Sequence, residues 1–176
     1  AVNQLSLASE LVGKGSFYHP HRLCFRGRIY PHSVVFSAQA NHVSKGLMMF
    51  ANGTALGSDG LETLAHHVAN CWGQDKLQLE ERKEYVESRI DILREVATNY
   101  EAAAAVCAEA DEPLAFYAAA CDYVAAVDSG DPENYASHTP CAVDGTCNGL
   151  QILSLLGHDS VGAQKTNCTS DPQRQD

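Results

Sequence analysis

The sequence predicts an α+β fold in which a mostly helical segment is inserted between two strand-bearing segments. Three observations carry this expectation. After Asp59, the residues Leu61, Leu64, Ala65, Val68, Ala69 and Trp72 recur at i, i+3, i+4, i+7, i+8 and i+11, the apolar stripe of a core-facing helix. Two more helical patterns follow before residue 130. On either side lie short strand-like runs, "RLCFRGRIYP" (22–31) and "CAVD" (141–144).

Taken in order, residues 2–13 predict a short helix with Leu5, Ala8 and Leu11 on one side. In 22–31, Leu23, Phe25 and Ile29 alternate with polar residues, and Gly27 breaks the run, which predicts a strand with a bend. "KGLMMFANG" (45–53) is apolar but too short to decide between strand and helix. Asp59 and Glu62 stand at capping-box spacing before the helix that Gly73 ends. Glu80 to Ala97 predicts one helix with Val86, Ile90, Leu93 and Ala97 inside and "EERKE", Arg89 and Arg94 largely outside. Residues 101–109 are alanine-rich and helical in propensity. Pro113 suits the first turn of a helix running to about Val127, burying Leu114, Tyr117, Cys121 and Val124. A loop (128–140), the short strand ending at Asp144, a helix from Gly149 to Leu156 and a last strand, Ala163–Cys168, complete the pattern.

Composition bounds the function. The 176 residues, 45% of them apolar, suffice for one domain with a real core. No run of about 18 apolar residues exists, so no membrane span is predicted. The N-terminus lacks a basic-then-apolar leader, so the protein is not expected to be secreted, and opening on Ala1 predicts a piece of a longer chain. Seven cysteines without a CxxC pair read as free thiols of a reducing compartment, several of them small buried apolar residues. Neither His19 with His21 nor the pair His66–His67 has the spacing of a zinc site, and the sequons at Asn52 and Asn167 read as chance matches. The net charge of −10 opposes nucleic-acid binding, but residues 1–30 carry Lys14, Arg22, Arg26 and Arg28 against Glu10 alone.

Phosphoryl transfer commonly uses two divalent ions about 4 Å apart, clamped by carboxylates. An aspartate fixed at a strand end and followed by glycine suits that task, because ligand and backbone can approach closely. Asp144, before Gly145, fits the description. Asp159 does not fit as its partner: the helix between them separates the two, and Asp159 reads as a turn or cap residue.

At this point the residues resemble a specific family. "DGTCNGLQ" followed by "GHDSVGAQKTN" resembles motif A and its continuation in the single-subunit RNA polymerases of bacteriophages and mitochondria. Upstream, "FRGRIYP" resembles the family's arginine segment, and "SKGLMMFANGTALGSDGLETLAHHVANCWGQDK" follows its K-G-L-L … H-x-x-N-x-x-G-x-D-K order. "PLAFYAAACDY" resembles the apolar helix before motif A, so the likeness runs from about residue 16 to 174. It implies a partial polymerase palm of short strands with a helical palm insertion: 1–56 an N-terminal palm segment, 57–135 the insertion, 136–176 the motif A segment.

The resemblance further implies template-directed nucleotidyl transfer from ribonucleoside triphosphates. Asp144 would be one of two catalytic, metal-binding aspartates, with Gly145 offering its carbonyl to Mg²⁺. Lys76 would meet the incoming triphosphate, while Arg26, Arg28 and Lys45 would line the nucleic-acid channel. The partners would be a DNA template, the RNA product, ribonucleoside triphosphates and the remaining polymerase subdomains. The setting would be the cytoplasm of a phage-infected host or a mitochondrion. Two positions depart from the family pattern: Cys24 stands where an aspartate is usual, and Ile152 where a histidine is common. The family's fingers helix and second metal aspartate have no counterpart in these residues; the His-Asp-Ser at 158–160 imitates the latter but belongs to the continuation of motif A. The chain is therefore expected to be a fragment inactive by itself. The alternative is a non-catalytic nucleic-acid- or protein-binding remnant of such a palm. The FRGR segment argues against a family A DNA polymerase, and no GxSxG or HExxH supports a hydrolase.

Overall fold

A computed structural model describes residues 2–33, 35–142 and 147–169. The architecture is mixed, with nine helices and two small antiparallel sheets among the described residues. The elements are α1 (Val2–Leu11), β1 (His21–Leu23), β2 (Ile29–Pro31), α2 (His42–Gly46), β3 (Thr54–Ala55), α3 (Gly57–Trp72), α4 (Leu79–Glu87), α5 (Ile90–Thr98), α6 (Tyr100–Cys107), α7 (Pro113–Asp128), β4 (Ala136–Ser137), α8 (Asn148–Leu156) and α9 (Ser160–Lys165). They fall into two compact units, one of Ala1–Asp75 with Leu79–Cys141, the other of Lys76–Gln78 with Ala142–Asp176. No described helix is long and apolar enough to cross a membrane.

The core of the first unit is helical and forms around α7. Leu64, Ala65, Val68 and Ala69 of α3 meet Phe116, Ala119, Ala120 and Tyr123 of α7, joined by Val86, Leu93 and Val96 of α4 and α5. The stripe expected on α3 is thus the buried one. On α7 the expectation holds for Val124 only: Tyr117 is 40% exposed and Leu114 and Cys121 are half-buried, while Ala115, Phe116, Ala119, Ala120, Tyr123 and Ala126 join Val124 in the core. Neighbours on several sides of α7 leave it no single apolar stripe, and its alanines let those neighbours come close.

Short pairings close the helical excursion at its base. β3 and β4 pair antiparallel, Thr54 opposite Ser137 and Ala55 opposite Ala136, so the ends of the α3–α7 segment meet. Phe50 N–H to His138 O (2.9 Å) and Leu56 N–H to Tyr135 O (3.0 Å) extend the seam. The hydroxyls of Tyr135 and Ser137 donate to the Asp122 carboxylate on α7, at 2.7 and 2.5 Å. Burial, then the bond to Asp122, pushes the Tyr135 phenol up to about 12.

Several local expectations need correction. The helix expected over 80–97 is two helices: the Arg89 N–H turns to Val86 O at 3.0 Å, and the Tyr85 carbonyl takes the Ser88 hydroxyl and the Arg89 guanidinium, which stacks on the Tyr85 ring at 3.8 Å. α3 begins at Gly57 after Leu56, so Asp59 lies in its first turn and no Asp59–Glu62 capping box forms. In α1, Leu5 is 48% exposed and the buried residue is Gln4. Its amide nitrogen lies 2.9, 2.8 and 2.8 Å from Val35 O, Asn41 Oδ1 and Ser44 Oγ, so a polar anchor docks this helix. The strand expected at 163–168 is replaced by α9 and the turn after it. Cys141 and Ala142 form no strand, and Val143 and Asp144 lie outside the described residues. Of the seven free cysteines only Cys71 is buried.

Candidate functional site

The arginines at 26 and 28 sit at the tip of a hairpin. β1 and β2 pair antiparallel with Leu23 opposite Ile29. Between them Gly27 N–H donates to Cys24 O at 2.9 Å, and Cys24 N–H donates to Arg28 O at 2.8 Å. Gly27 has φ +73°, the left-handed residue that closes a three-residue hairpin loop. The bend expected at Gly27 is therefore a full reversal. Arg26 lies in the loop and Arg28 beyond it, so they do not share a strand face by i, i+2 alternation. Both are exposed, as is Arg22 on β1.

Phe25, at the loop apex, is 98% exposed, and Leu23 and Ile29 are 71% and 59% exposed. The alternating residues that read as a strand with a bend form an open apolar ridge bordered by arginines. Phe25 is the candidate binding residue that periodicity missed. An aromatic flanked by cations is the relevant signal, since bases stack on such rings while arginines meet phosphates. Cys24 lies beneath the tip. A backbone hydrogen bond with Arg28, then contacts with Arg26, hold its thiol below the ordinary range.

Lys45 is on α2, which Asn41 caps through its side chain toward the Ser44 N–H. Its ammonium lies 3.7 Å from Glu112 Oε1, with both side chains about one-third exposed (30% and 38%). Glu112 immediately precedes α7 and donates its N–H to Cys71 O at 3.0 Å. Behind the pair, Cys71 Sγ lies 3.9 Å from Glu112 Oε2 and 3.8 Å from His67 Nε2. Burial, then the Glu112 charge, pushes the Cys71 thiol up to about 12, which removes it as a nucleophile. Burial also lowers the His67 imidazole, against an opposing pull from Glu112.

Lys76 follows the end of α3. Gly73 caps that helix in the left-handed conformation, its N–H directed to Ala69 O and Asn70 O, and Gln74 N–H returns to Ala69 O at 2.9 Å. From α4, Arg82 donates to Asn70 Oδ1 at 3.1 Å and to Asp75 O at 2.8 Å. Lys76 is exposed and belongs to the second unit. Asp144 and Gly145, expected to hold the metal, lie outside the described residues. Among the described residues no group of three His, Cys, Asp or Glu could hold a metal ion.

In the second unit, α8 and α9 pack against each other. Asp159 caps α9, its Oδ1 accepting from Val161 N–H (3.1 Å) and Gly162 N–H (3.0 Å), the cap role its sequence context suggested. Gln151 Nε2 donates to Thr166 O at 2.6 Å and ties α8 to the end of α9.

Residues 54–176 match the family model described as DNA-dependent RNA polymerase. The chain is 40% identical over 153 residues to the mitochondrial DNA-directed RNA polymerase of Neurospora crassa, covering 86% of this chain and 11% of that protein. It is 37% identical over 177 residues to the mitochondrial enzyme of Mus musculus, covering 100% and 15%. To the chloroplastic/mitochondrial DNA-directed RNA polymerase 2 of Arabidopsis thaliana it is 34% identical over 166 residues, covering 93% and 16%. The chain thus spans between 11% and 16% of the length of these relatives. On these matches, the chain belongs to the DNA-dependent RNA polymerase family, in its single-subunit, phage/mitochondrial branch.

Proposed function

We propose that this chain is the motif A part of a polymerase palm, serving template-directed nucleotidyl transfer from ribonucleoside triphosphates in a longer protein. The observation that carries the reading is the pairing of family membership with an exposed hairpin that presents Phe25 between cationic side chains. In it, Arg26 and Arg28 hold backbone phosphates of template or product, and Phe25 offers a face on which a base stacks. Lys45, already balanced by Glu112, adds a weaker positive charge. Lys76 binds the triphosphate of the incoming nucleotide.

Asp144 and the Gly145 carbonyl are hard oxygen donors of the kind Mg²⁺ takes, and we assign them to one such ion. When bound, Mg²⁺ supplies charge stabilisation to the leaving pyrophosphate. One carboxylate does not hold two ions, so the chain is inactive alone. The organellar names of the relatives favour a mitochondrial setting over the cytoplasm of a phage-infected host.

Fluorescence anisotropy with a labelled single-stranded DNA tests the interface. Replacing both Arg26 and Arg28 by alanine is expected to weaken binding and to flatten the log K against log salt slope by about 1.4, or about 0.7 for each phosphate no longer neutralised. An unchanged slope removes the arginines from the interface. With template, ribonucleoside triphosphates and Mg²⁺, the 176-residue chain is expected to make no RNA; robust synthesis overturns the fragment reading.

A further inference from the structure

Lys45, assigned to the nucleic-acid interface, stands beside an anion of the protein's own. Its ammonium lies 3.7 Å from Glu112 Oε1, and both side chains are about one-third exposed. Hydrogen-bonded ion pairs are tighter, about 2.7–2.9 Å. Lys83 and Glu62 meet at 2.8 Å in this protein. The Lys45–Glu112 pair is thus a loose one at the surface, open to competition.

Its two halves are held unequally. Gly46, next to Lys45, lies against the backbone of Leu114 and Ala115 at the start of α7, an approach that a side chain at 46 blocks. Backbone packing therefore brings the lysine to Glu112. From the other side, the Glu112 N–H donates to Cys71 O at 3.0 Å, and its Oε2 accepts from the Cys71 thiol at 3.9 Å. The carboxylate is anchored to the end of α3 whether or not Lys45 touches it. Lysine is the movable partner, because its ammonium carries three donors on a flexible stem and turns to another anion without a shift of α2.

We propose that Glu112 is a resident counter-ion that competes with nucleic-acid phosphate for Lys45, so that this lysine joins the interface by exchanging one anion for another. This rests on the reading of Lys45 as a nucleic-acid-binding residue. The exchange neutralises little charge that was unbalanced before, so the surface holds a strand less tightly than its cations alone would.

The test uses the full 176-residue chain and a labelled single-stranded DNA, with anisotropy read across salt concentrations. Glu112→Gln keeps the shape of the side chain and removes its charge. It is expected to tighten binding about threefold and to steepen the log K against log salt slope by about 0.7, one further phosphate neutralised. In a Lys45→Ala background the same substitution is expected to give neither change, because the lysine competed for is gone. A carboxylate that acts only as a repelling charge gives equal gains in both backgrounds. Amine acylation with peptide mass spectrometry follows Lys45 itself, which DNA is expected to protect more in Glu112→Gln than in the unaltered chain. Should Glu112→Gln lose its native circular dichroism, Glu112→Asp carries the test. It keeps the charge, draws it back from the ammonium by one methylene, and is expected to tighten binding about twofold only where Lys45 is present.

Equal gains in the two backgrounds, or no gain beside DNA that protects Lys45, overturn the counter-ion role and leave Lys45 at the interface. If DNA protects Lys45 in neither protein, the reading of Lys45 falls and the proposal with it.

Discussion

Gly27 shows how much rests on a single backbone angle. Its φ of +73° lies where side chains are strained, yet a Cβ there meets nothing within 4 Å, so substitution costs conformational strain alone. Gly27→Ala is expected to destabilise the hairpin by about 1 kcal/mol. Amide exchange at Cys24, whose N–H closes the loop onto Arg28 O, is expected to quicken about fivefold. Unchanged exchange contradicts the loop as described. The sequence marked this glycine as a break but left open whether the chain bent or reversed there. The answer depends on Ile29 pairing back on Leu23, a tertiary fact that residue type does not encode. Gln4 teaches the converse, since nothing in an apolar pattern signals that an amide will be the docking group of α1.

Between elements, α2 comes close to the start of α7. A Cβ built on Gly46 collides with the Leu114 carbonyl group and with the Ala115 nitrogen at 2.7 Å, which are backbone atoms and cannot swing aside. Gly46→Ala is expected to cost about 2 kcal/mol or more, read as a lower urea midpoint with an unchanged m-value. A neutral result implies that α2 does not pack against α7 as described. The same approach brings Lys45 to Glu112, an ion pair that, one-third exposed, contributes no more than about 1 kcal/mol. Helix existence was legible in sequence because α3 carries a regular stripe and α7 a proline start. The α4–α5 break was not: the Arg89 N–H turns to Val86 O, and the Tyr85 carbonyl takes the Ser88 hydroxyl and the Arg89 guanidinium. The last strand was misread because 163–168 is too short to carry a periodic signal; the Asp159 cap, itself foreseen, starts α9, which takes in 163–165.

At the scale of the molecule, burial couples stability to pH through His67. Its imidazole is held below its ordinary value chiefly by burial, among Cys71, Glu112 and Lys45. A histidine with a depressed folded value resists protonation in the native state while the unfolded chain takes up a proton freely. Stability is therefore full above the unfolded value near pH 6.5 and declines as pH falls below it. Thermal midpoints of the chain are expected to drop between about pH 7 and about pH 5.5, and His67→Gln is expected to shrink that drop. An identical drop in the variant rules His67 out as its source. The apolar faces of α3, α4 and α5 are buried in the unit's own core. Among the apolar side chains that stay open are those of the hairpin ridge and of α8, where Leu150, Ile152, Leu153, Leu155 and Leu156 are each more than half exposed.

By itself the sequence determined the mixed fold class, the helical run before residue 130 and the family, because periodicity, glycine and proline punctuation and motif order are written in one dimension. Only the tertiary structure decided that Arg26 and Arg28 ride on a reversed hairpin with Phe25 at its apex, that Lys45 is balanced by Glu112, and that Arg82 holds the turn at 73–75 after α3. Each of these joins residues far apart in the chain or depends on the sense of a turn. Such contacts follow from how the elements pack, which local spacing does not specify.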